Sequence, residues 1–204
     1  MSGCGKHQLG VLLSGRGSNF AAIARAIADG HIPSAEIAVV ISNVEGAPGL
    51  DHAKSLGLPT ELLISKGRKR AEHDRDVLAA LNAHGVELVL LAGYMRLLSP
   101  EFIQALPNRI LNIHPSLLPA FPGLDAQQQA FDYGAQVAGC TVHFVDEELD
   151  HGVIILQRAI PVLPTDDAHS LSERILEQEH LAYPEAIARV LSGEWKTVGR
   201  RYTR

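Results

Sequence analysis

The chain is poor in the residues that would mark several large functional classes. It has only 2 cysteines in 204 residues, Cys4 and Cys140, too far apart in sequence to suggest a disulfide framework, and such sparing use fits a reducing cytoplasm. Its 10 histidines include His114, His143, His151 and His180, but none forms a His-x-x-x-His pair and the cysteines form no Cys-x-x-Cys pair, so no metal is expected. Lysine and arginine total 18 against 23 acidic residues, a formal charge of −5 with pI ≈ 6.0. No global positive field is available to hold a nucleic-acid backbone or an anionic membrane, and a small-molecule partner is the better expectation. No apolar run precedes Leu9, and the later ones are far shorter than a bilayer requires. There is no linker, low-complexity tract or internal repeat, and no G-x-S-x-G elbow for a serine nucleophile.

What is present is enough apolar residue, 46% of the chain, to build one sizeable core, so a single domain over residues 1–204 is expected. The basic tail from Lys196 to Arg204 reads as a solvated, loosely held end. Short apolar runs alternate with amphipathic segments. Leu9–Ser14 reads as a buried strand and Asn19–Ala28 as a helix whose Phe20, Ile23, Ala24 and Ile27 share a face. Strands at Ile37–Ser42, Thr60–Ile64, Leu88–Ala92 and Ile110–Ile113 follow, separated by helical patterns near Pro48–Leu56, Lys69–His84 and Pro100–Ala105. Then come a helix over Asp125–Tyr133, a strand over Cys140–Val145, and a strand over Ile154–Val162 that could run antiparallel. A helix over Ser170–Leu191 should kink or break at Pro184, which lacks an amide donor. This order predicts an α/β fold with a mostly parallel twisted sheet and helices on both faces. Ligands of such sheets bind beyond the carboxyl ends of the strands, at Ser14–Asn19, Gly93–Leu98, Asn112–Pro115 and Val145–Gly152.

Two of these places carry recognisable chemistry. Gly15-Arg16-Gly17-Ser18-Asn19 joins a strand to a helix, so its glycines could bring backbone amides close to a phosphate at the positive helix end. It lacks both the third glycine of a dinucleotide loop and the Lys-Ser/Thr pair of a triphosphate loop, and a simple turn capped by Ser18 or Asn19 explains it equally well. In Asn112-Ile113-His114-Pro115 the spacing of two puts Asn112 and His114 on one side of a strand that Pro115 ends at once. Asp146-Glu147-Glu148-Leu149-Asp150-His151-Gly152 is an acidic loop between two strands. A carboxylate there, best Asp150, could orient the His114 ring and favour its protonated form, whereas Glu147 and Glu148 read as solvated. His143, between Val142 and Phe144, reads as a core residue or one that supports the site from behind.

The SGRGSN loop, the AGYMRLLSP segment, NIHPSLLPAFPGL with the downstream GCTVHFVDEELDHG, and QEH at Gln178–His180 together span almost the whole chain. In combination they closely resemble the phosphoribosylglycinamide formyltransferase family. The resemblance implies a Rossmann-like fold and transfer of a formyl group from 10-formyltetrahydrofolate, a cosubstrate, to the amine of glycinamide ribonucleotide in purine biosynthesis. It implies that Gly17, Ser18 and Asn19 hold the nucleotide phosphate and that Glu179 contacts its ribose. Arg70, Met95, Arg96, Leu97 and Leu98 would meet the folate, with Asp146, Glu147, Glu148, Leu149 and Asp150 enclosing its pterin and Asn112 also in contact. Asn112, His114 and Asp150 fall on the family's catalytic triad. Asn112 and protonated His114 would donate to the oxyanion, and Asp150 would maintain the imidazolium and help shuttle protons.

The partners implied are these two small molecules, without nucleic acid or membrane, for a monomer or homodimer. Asp125-Ala126-Gln127 and His151-Gly152-Val153 depart from the usual pattern. The competing readings are a formyltetrahydrofolate deformylase, expected to bear a further N-terminal domain, a methionyl-tRNA formyltransferase, expected to bear an RNA-binding domain, a nucleotide-binding oxidoreductase, and a non-catalytic phosphate-binding module.

Overall fold

A computed structural model of the chain describes residues 5–204, so Cys4 lies outside the described residues. Contacts group the chain into two compact units, the first ending at Leu111 and the second running from Asn112 to Arg204.

The first unit begins with strand β1 (His7–Leu13), helix α1 (Ser18–Ala28), β2 (Ala35–Ser42) and α2 (Pro48–Ser55). It continues through β3 (Thr60–Leu62), α3 (Arg70–Ala83), β4 (Leu88–Leu91) and α4 (Pro100–Ala105), and the boundary falls within β5 (Ile110–His114). Its strands order as β3-β2-β1-β4, with every pair parallel. Leu9, Val11, Leu12 and Leu13 are buried on consecutive positions, which is why this strand reads as a continuous apolar run rather than an alternation. Burying each such side chain contributes about 1.5–3 kcal/mol. On α1 the buried set is Asn19, Phe20, Ile23 and Ala26; Ala24 and Ile27, expected on this face, are only half-buried.

The second unit contains α5 (Ala126–Tyr133), β6 (Val137–Phe144), β7 (Ile154–Pro161), α6 (Ala168–Leu191), β8 (Lys196–Val198) and β9 (Arg201–Thr203). β7 pairs antiparallel with β6. Helix α6 packs on both strands and continues without interruption through Pro184, contrary to the expected break. The proline removes one ladder bond, while Ala182, Tyr183, Ala186 and Ile187 bury the helix on either side of it, and that burial outweighs the missing bond.

The tail corrects a second expectation. β8 and β9 form an antiparallel hairpin whose two-residue loop starts at Gly199 with φ 59, a positive φ that hairpin loops of this length need. Tyr202 packs edge-on against Phe144 at 5.7 Å and stacks on Trp195 at 5.8 Å, and Arg189 lies 4.4 Å over the Trp195 ring. Aromatic contacts thus order a segment that remains mostly exposed to solvent, so the tail is solvated as expected but held in a hairpin.

The turn after β5 is fixed by one buried hydroxyl. Thr141 Oγ1 donates to the Ser116 carbonyl at 2.6 Å and accepts from the Leu118 amide at 3.0 Å and from Gln157 Nε2 at 2.9 Å. Replacing it by an isosteric methyl strands the Ser116 carbonyl and the Leu118 amide, while Gln157 Nε2 keeps the Leu118 carbonyl at 2.9 Å. Thr141→Val is therefore expected to lower the unfolding free energy by about 2–3 kcal/mol, read as a lower urea midpoint; an unchanged midpoint would show that the turn does not depend on this hydroxyl.

Candidate active site

β5 ends with Asn112 and His114 two residues apart, and the loop between β6 and β7 brings Asp150 to them. His114 Nδ1 lies 3.3 Å from Asp150 Oδ2, with both side chains less than a tenth exposed. His114 Nε2 donates to the Phe121 carbonyl at 2.8 Å, and Asp150 Oδ2 also accepts the Gly123 amide at 2.8 Å. The ring is thus gripped from both edges by acceptor oxygens. Two of the residues that grip it sit in the left-handed region without being glycine, Phe121 at φ 52 and Asp150 at φ 50. Such backbone costs about 1–3 kcal/mol per residue and persists only where the surroundings impose it. Gly152 has no such freedom to exchange its side chain: a Cβ there would come 1.8 Å from the Phe144 carbonyl.

His143 belongs to the cluster, in the supporting place that is one of its two readings from the sequence. Its Nδ1 donates to the Phe144 carbonyl at 2.8 Å, which leaves Nε2 as an acceptor, and Asn112 Nδ2 lies 3.2 Å from it. Asn112 therefore presents its amide nitrogen to His143, and the second hydrogen on that nitrogen remains for another acceptor. His143 Nε2 is also 3.8 Å from Asp150 Oδ1. Burial holds the His143 pKa below its ordinary value, against the opposing pull of its carbonyl partner and Asp150. The spacing of Asn112 from His114 and the alternation around His143 were the legible signals; the direct contact of His143 with Asn112 was not.

The Asp146–Asp150 stretch lies on the same loop. Its Glu148, Leu149 and Asp150, together with Leu118, Pro122, His151 and Arg200, bound a cavity of about 520 Å³. Leu149 is exposed, as are Glu147 and Glu148. Glu179, in contrast, is buried in the middle of α6.

In the first unit, the loop after β1 ends at Gly17, which occupies the N-cap of α1 at φ 72 with no side-chain cap bond. The helix begins at Ser18, so the alternative in which Ser18 or Asn19 caps it does not hold. A Cβ on Gly17 would stand 2.8 Å from the Gly49 backbone, and the Gly49 amide donates to the Gly15 carbonyl at 3.0 Å. Close packing against α2 therefore explains Gly17 and Gly49, and the N-terminus of α1 follows directly on the loop. Ser14 just before it donates to Asn43 at 2.6 Å and accepts the Met95 amide at 2.8 Å.

Met95 and Leu97 follow with side chains largely in solvent, 72% and 54% exposed, a presentation that suits a flat apolar ligand. Arg96 reaches the Ser65 and Arg68 carbonyls at 3.4 and 3.2 Å, tying this segment to the turn before α3. Leu98 is half-buried and Arg70, the first residue of α3, is exposed.

The formyl transferase family matches residues 7–187. The chain belongs to that family. A phosphoribosylglycinamide formyltransferase of Haemophilus influenzae is 42% identical over 95% of this formyl transferase and 88% of its own length. A crystal structure of glycinamide ribonucleotide transformylase 1 from Symbiobacterium toebii superposes with a TM-score of 0.95 at 47% identity, covering 99% of this chain and 95% of that one. The trifunctional purine biosynthetic protein adenosine-3 of Drosophila pseudoobscura pseudoobscura is 44% identical over 95% of this chain, which spans only 14% of that protein's length. A formyltetrahydrofolate deformylase from Pseudomonas syringae pv. tomato shares the fold, with a TM-score of 0.91, at 23% identity. The α/β class and mostly parallel strands read from the sequence agree with these formyl transferase structures.

The geometry makes a prediction about protonation. His143 should stay neutral, as the Nδ1–H tautomer, to a lower pH than an ordinary histidine. Because the unfolded ring takes up the proton first, stability contributed by the neutral ring is full above about pH 6.5 and declines as pH falls below it. Nitrogen-15 shifts of the His143 ring across a pH titration test the assignment, and a ring that takes up its proton at or above the ordinary histidine range would refute it.

Proposed function

We propose that the chain transfers the formyl group of 10-formyltetrahydrofolate to the amine of glycinamide ribonucleotide, the reaction named for the relatives of nearly matching length. The observation that carries this reading is the convergence of Asn112, His114, His143 and Asp150, with His114 oriented from both ring edges and, among the described residues, no serine or cysteine hydrogen-bonded to the His114 ring as a nucleophile. Such a site suits direct attack by a bound amine rather than an acyl-enzyme.

In this mechanism the amine lone pair attacks the formyl carbon and the carbonyl electrons move onto oxygen. The free hydrogen on Asn112 Nδ2 donates to that oxygen. His114, whose Nε2 hydrogen is taken by the Phe121 carbonyl, shares its one Nδ1 hydrogen between Asp150 and that oxygen. This refines the simpler expectation of a freely presented imidazolium. Asp150, 3.3 Å from the same nitrogen, stabilises the cationic ring. The tetrahedral adduct then collapses, the bond to the folate nitrogen breaks, and the proton lost by the attacking amine is returned to that nitrogen, with Asp150 as the local relay. Holding the amine against the formyl group lowers the entropic barrier.

On this reading, Gly17, Ser18 and Asn19 receive the nucleotide phosphate and Glu179 its ribose. Met95, Leu97 and Leu98, with Arg70 and the Asp146–Asp150 loop, receive the folate. The fit is chemical: exposed apolar side chains for flat rings, a cationic residue at a helix start for carboxylates, and helix amides for phosphate.

Release of tetrahydrofolate from 10-formyltetrahydrofolate is expected only when glycinamide ribonucleotide is added; release without it would mark a hydrolase, and none in either case would remove the reading. Asp150→Asn, which keeps an acceptor for Gly123 but loses the charge beside His114, is expected to lower kcat by about 10²-fold or more. A near-normal kcat in that variant would overturn the assigned role.

A further inference from the structure

The loop that carries Asp150 is tied at its far end to the C-terminal hairpin. Arg200, at the hairpin tip, donates from Nη2 to the His151 carbonyl at 2.5 Å, and its Nη1 lies 3.1 Å from His151 Nε2. With Nε2 accepting, the ring proton sits on Nδ1, which lies 2.9 Å from Asp146 Oδ2. Asp146 Oδ1 in turn accepts the Glu148 amide at 3.1 Å. A single relay therefore runs from Arg200 through His151 and Asp146 into the backbone of the loop. Glu148 Oε1, 3.9 Å from His151 Nδ1, is the other charged group facing the ring.

We propose that Arg200 is a positioning residue that acts through His151 to hold the Asp146–Leu149 stretch in its ligand-receiving shape, a role that rests on the formyl-transfer reading of the site. An isolated exposed ion pair would achieve little, because two long side chains must be ordered in water. Here that ordering is supplied in advance. Gly199 sets the tip of the hairpin, Val198 pairs with Arg201 across it, and Tyr202 is clamped between Phe144 and Trp195. The guanidinium fork then meets a carbonyl and a ring nitrogen of the same residue, a two-point match that a lysine cannot reproduce. Phe144 ends β6 immediately before the loop, so the hairpin grips the loop at its entry through Tyr202 and at its exit through Arg200. Asp150 has its own anchor in the Gly123 amide, which separates the placement of the catalytic carboxylate from the shape of the preceding stretch.

That separation dictates the kinetic signature. Arg200→Met, which keeps the stem and removes the fork, is expected to raise KM for 10-formyltetrahydrofolate about tenfold while kcat and KM for the nucleotide change less than about twofold. His151→Gly should give the same pattern, the double variant no more than the larger single effect, and Arg200→Lys an intermediate value. Amide hydrogen exchange at residues 147–149 should accelerate in Arg200→Met; this readout needs no turnover and so separates failure of the latch from failure of the formyl-transfer reading. Unchanged exchange, an unchanged KM for the folate, or additive single effects would overturn the proposal, as would equal rises in both KM values accompanied by a lower thermal midpoint.

Discussion

Everything at this site depends on the His114 ring being held between two oxygens that the backbone would not place there unaided. One is the carbonyl of Phe121 and the other a carboxylate oxygen of Asp150, and both residues lie in the left-handed region. A β-strand supplies His114 with a direction but not a rotation about its side-chain bonds. The two strained turns supply that rotation. Their cost is carried by the surrounding bonds: the Gly123 amide on Asp150, the Thr141 hydroxyl beneath the Ser116–Leu118 turn, and the tight passage of Gly152 under the Phe144 carbonyl. Strain of this kind keeps a donor set ready before substrate arrives, so little reorganisation remains for the reaction itself.

Burial then divides two histidines that the sequence presents in similar apolar surroundings. His143 spends its Nδ1–H on the Phe144 carbonyl and turns a lone pair toward Asn112, so it acts as an orienter of the amide. His114 turns Nδ1 toward a carboxylate. Burial holds the His143 pKa below its ordinary value, so the ring that orients Asn112 is kept toward its neutral form.

Much of this was legible in the residues. The α/β alternation located every strand from β1 to β7, because buried parallel strands are short unbroken apolar runs flanked by amphipathic helices. The two-residue spacing in Asn112-Ile113-His114 put both side chains on one face of β5, and the resemblance brought Asp150 to them. What escaped was structure that arises from contacts distant in sequence. The tail looked loosely held because Lys196, Arg200, Arg201 and Arg204 dominate its composition. Its ordering comes from Trp195 and Tyr202 meeting Phe144 and Arg189, more than 50 residues away in the case of Phe144. Likewise Pro184 looked like a break because the local cost is visible in the sequence, whereas the tertiary burial that offsets it is not. The Phe121 carbonyl could not be named at all, since backbone acceptors leave no mark on residue identity.

The segment after Gly123, Asp125-Ala126-Gln127, reaches the site by the same kind of indirect support. Asp125 adopts φ 53 at the N-cap of α5 and makes no side-chain cap bond, so its identity does not hold the turn. Gln129 does: its Nε2 donates to the Leu124 carbonyl at 2.7 Å and reaches the Pro122 carbonyl at 3.5 Å, the two residues that flank Gly123. Gly123 then directs its amide at Asp150. A residue on the first turns of α5 thereby brackets the peptide that holds the carboxylate, so a change at Asp125, exposed and without a cap bond, leaves the groups that orient His114 with their partners, whereas Ala126 is fully buried and bears on packing.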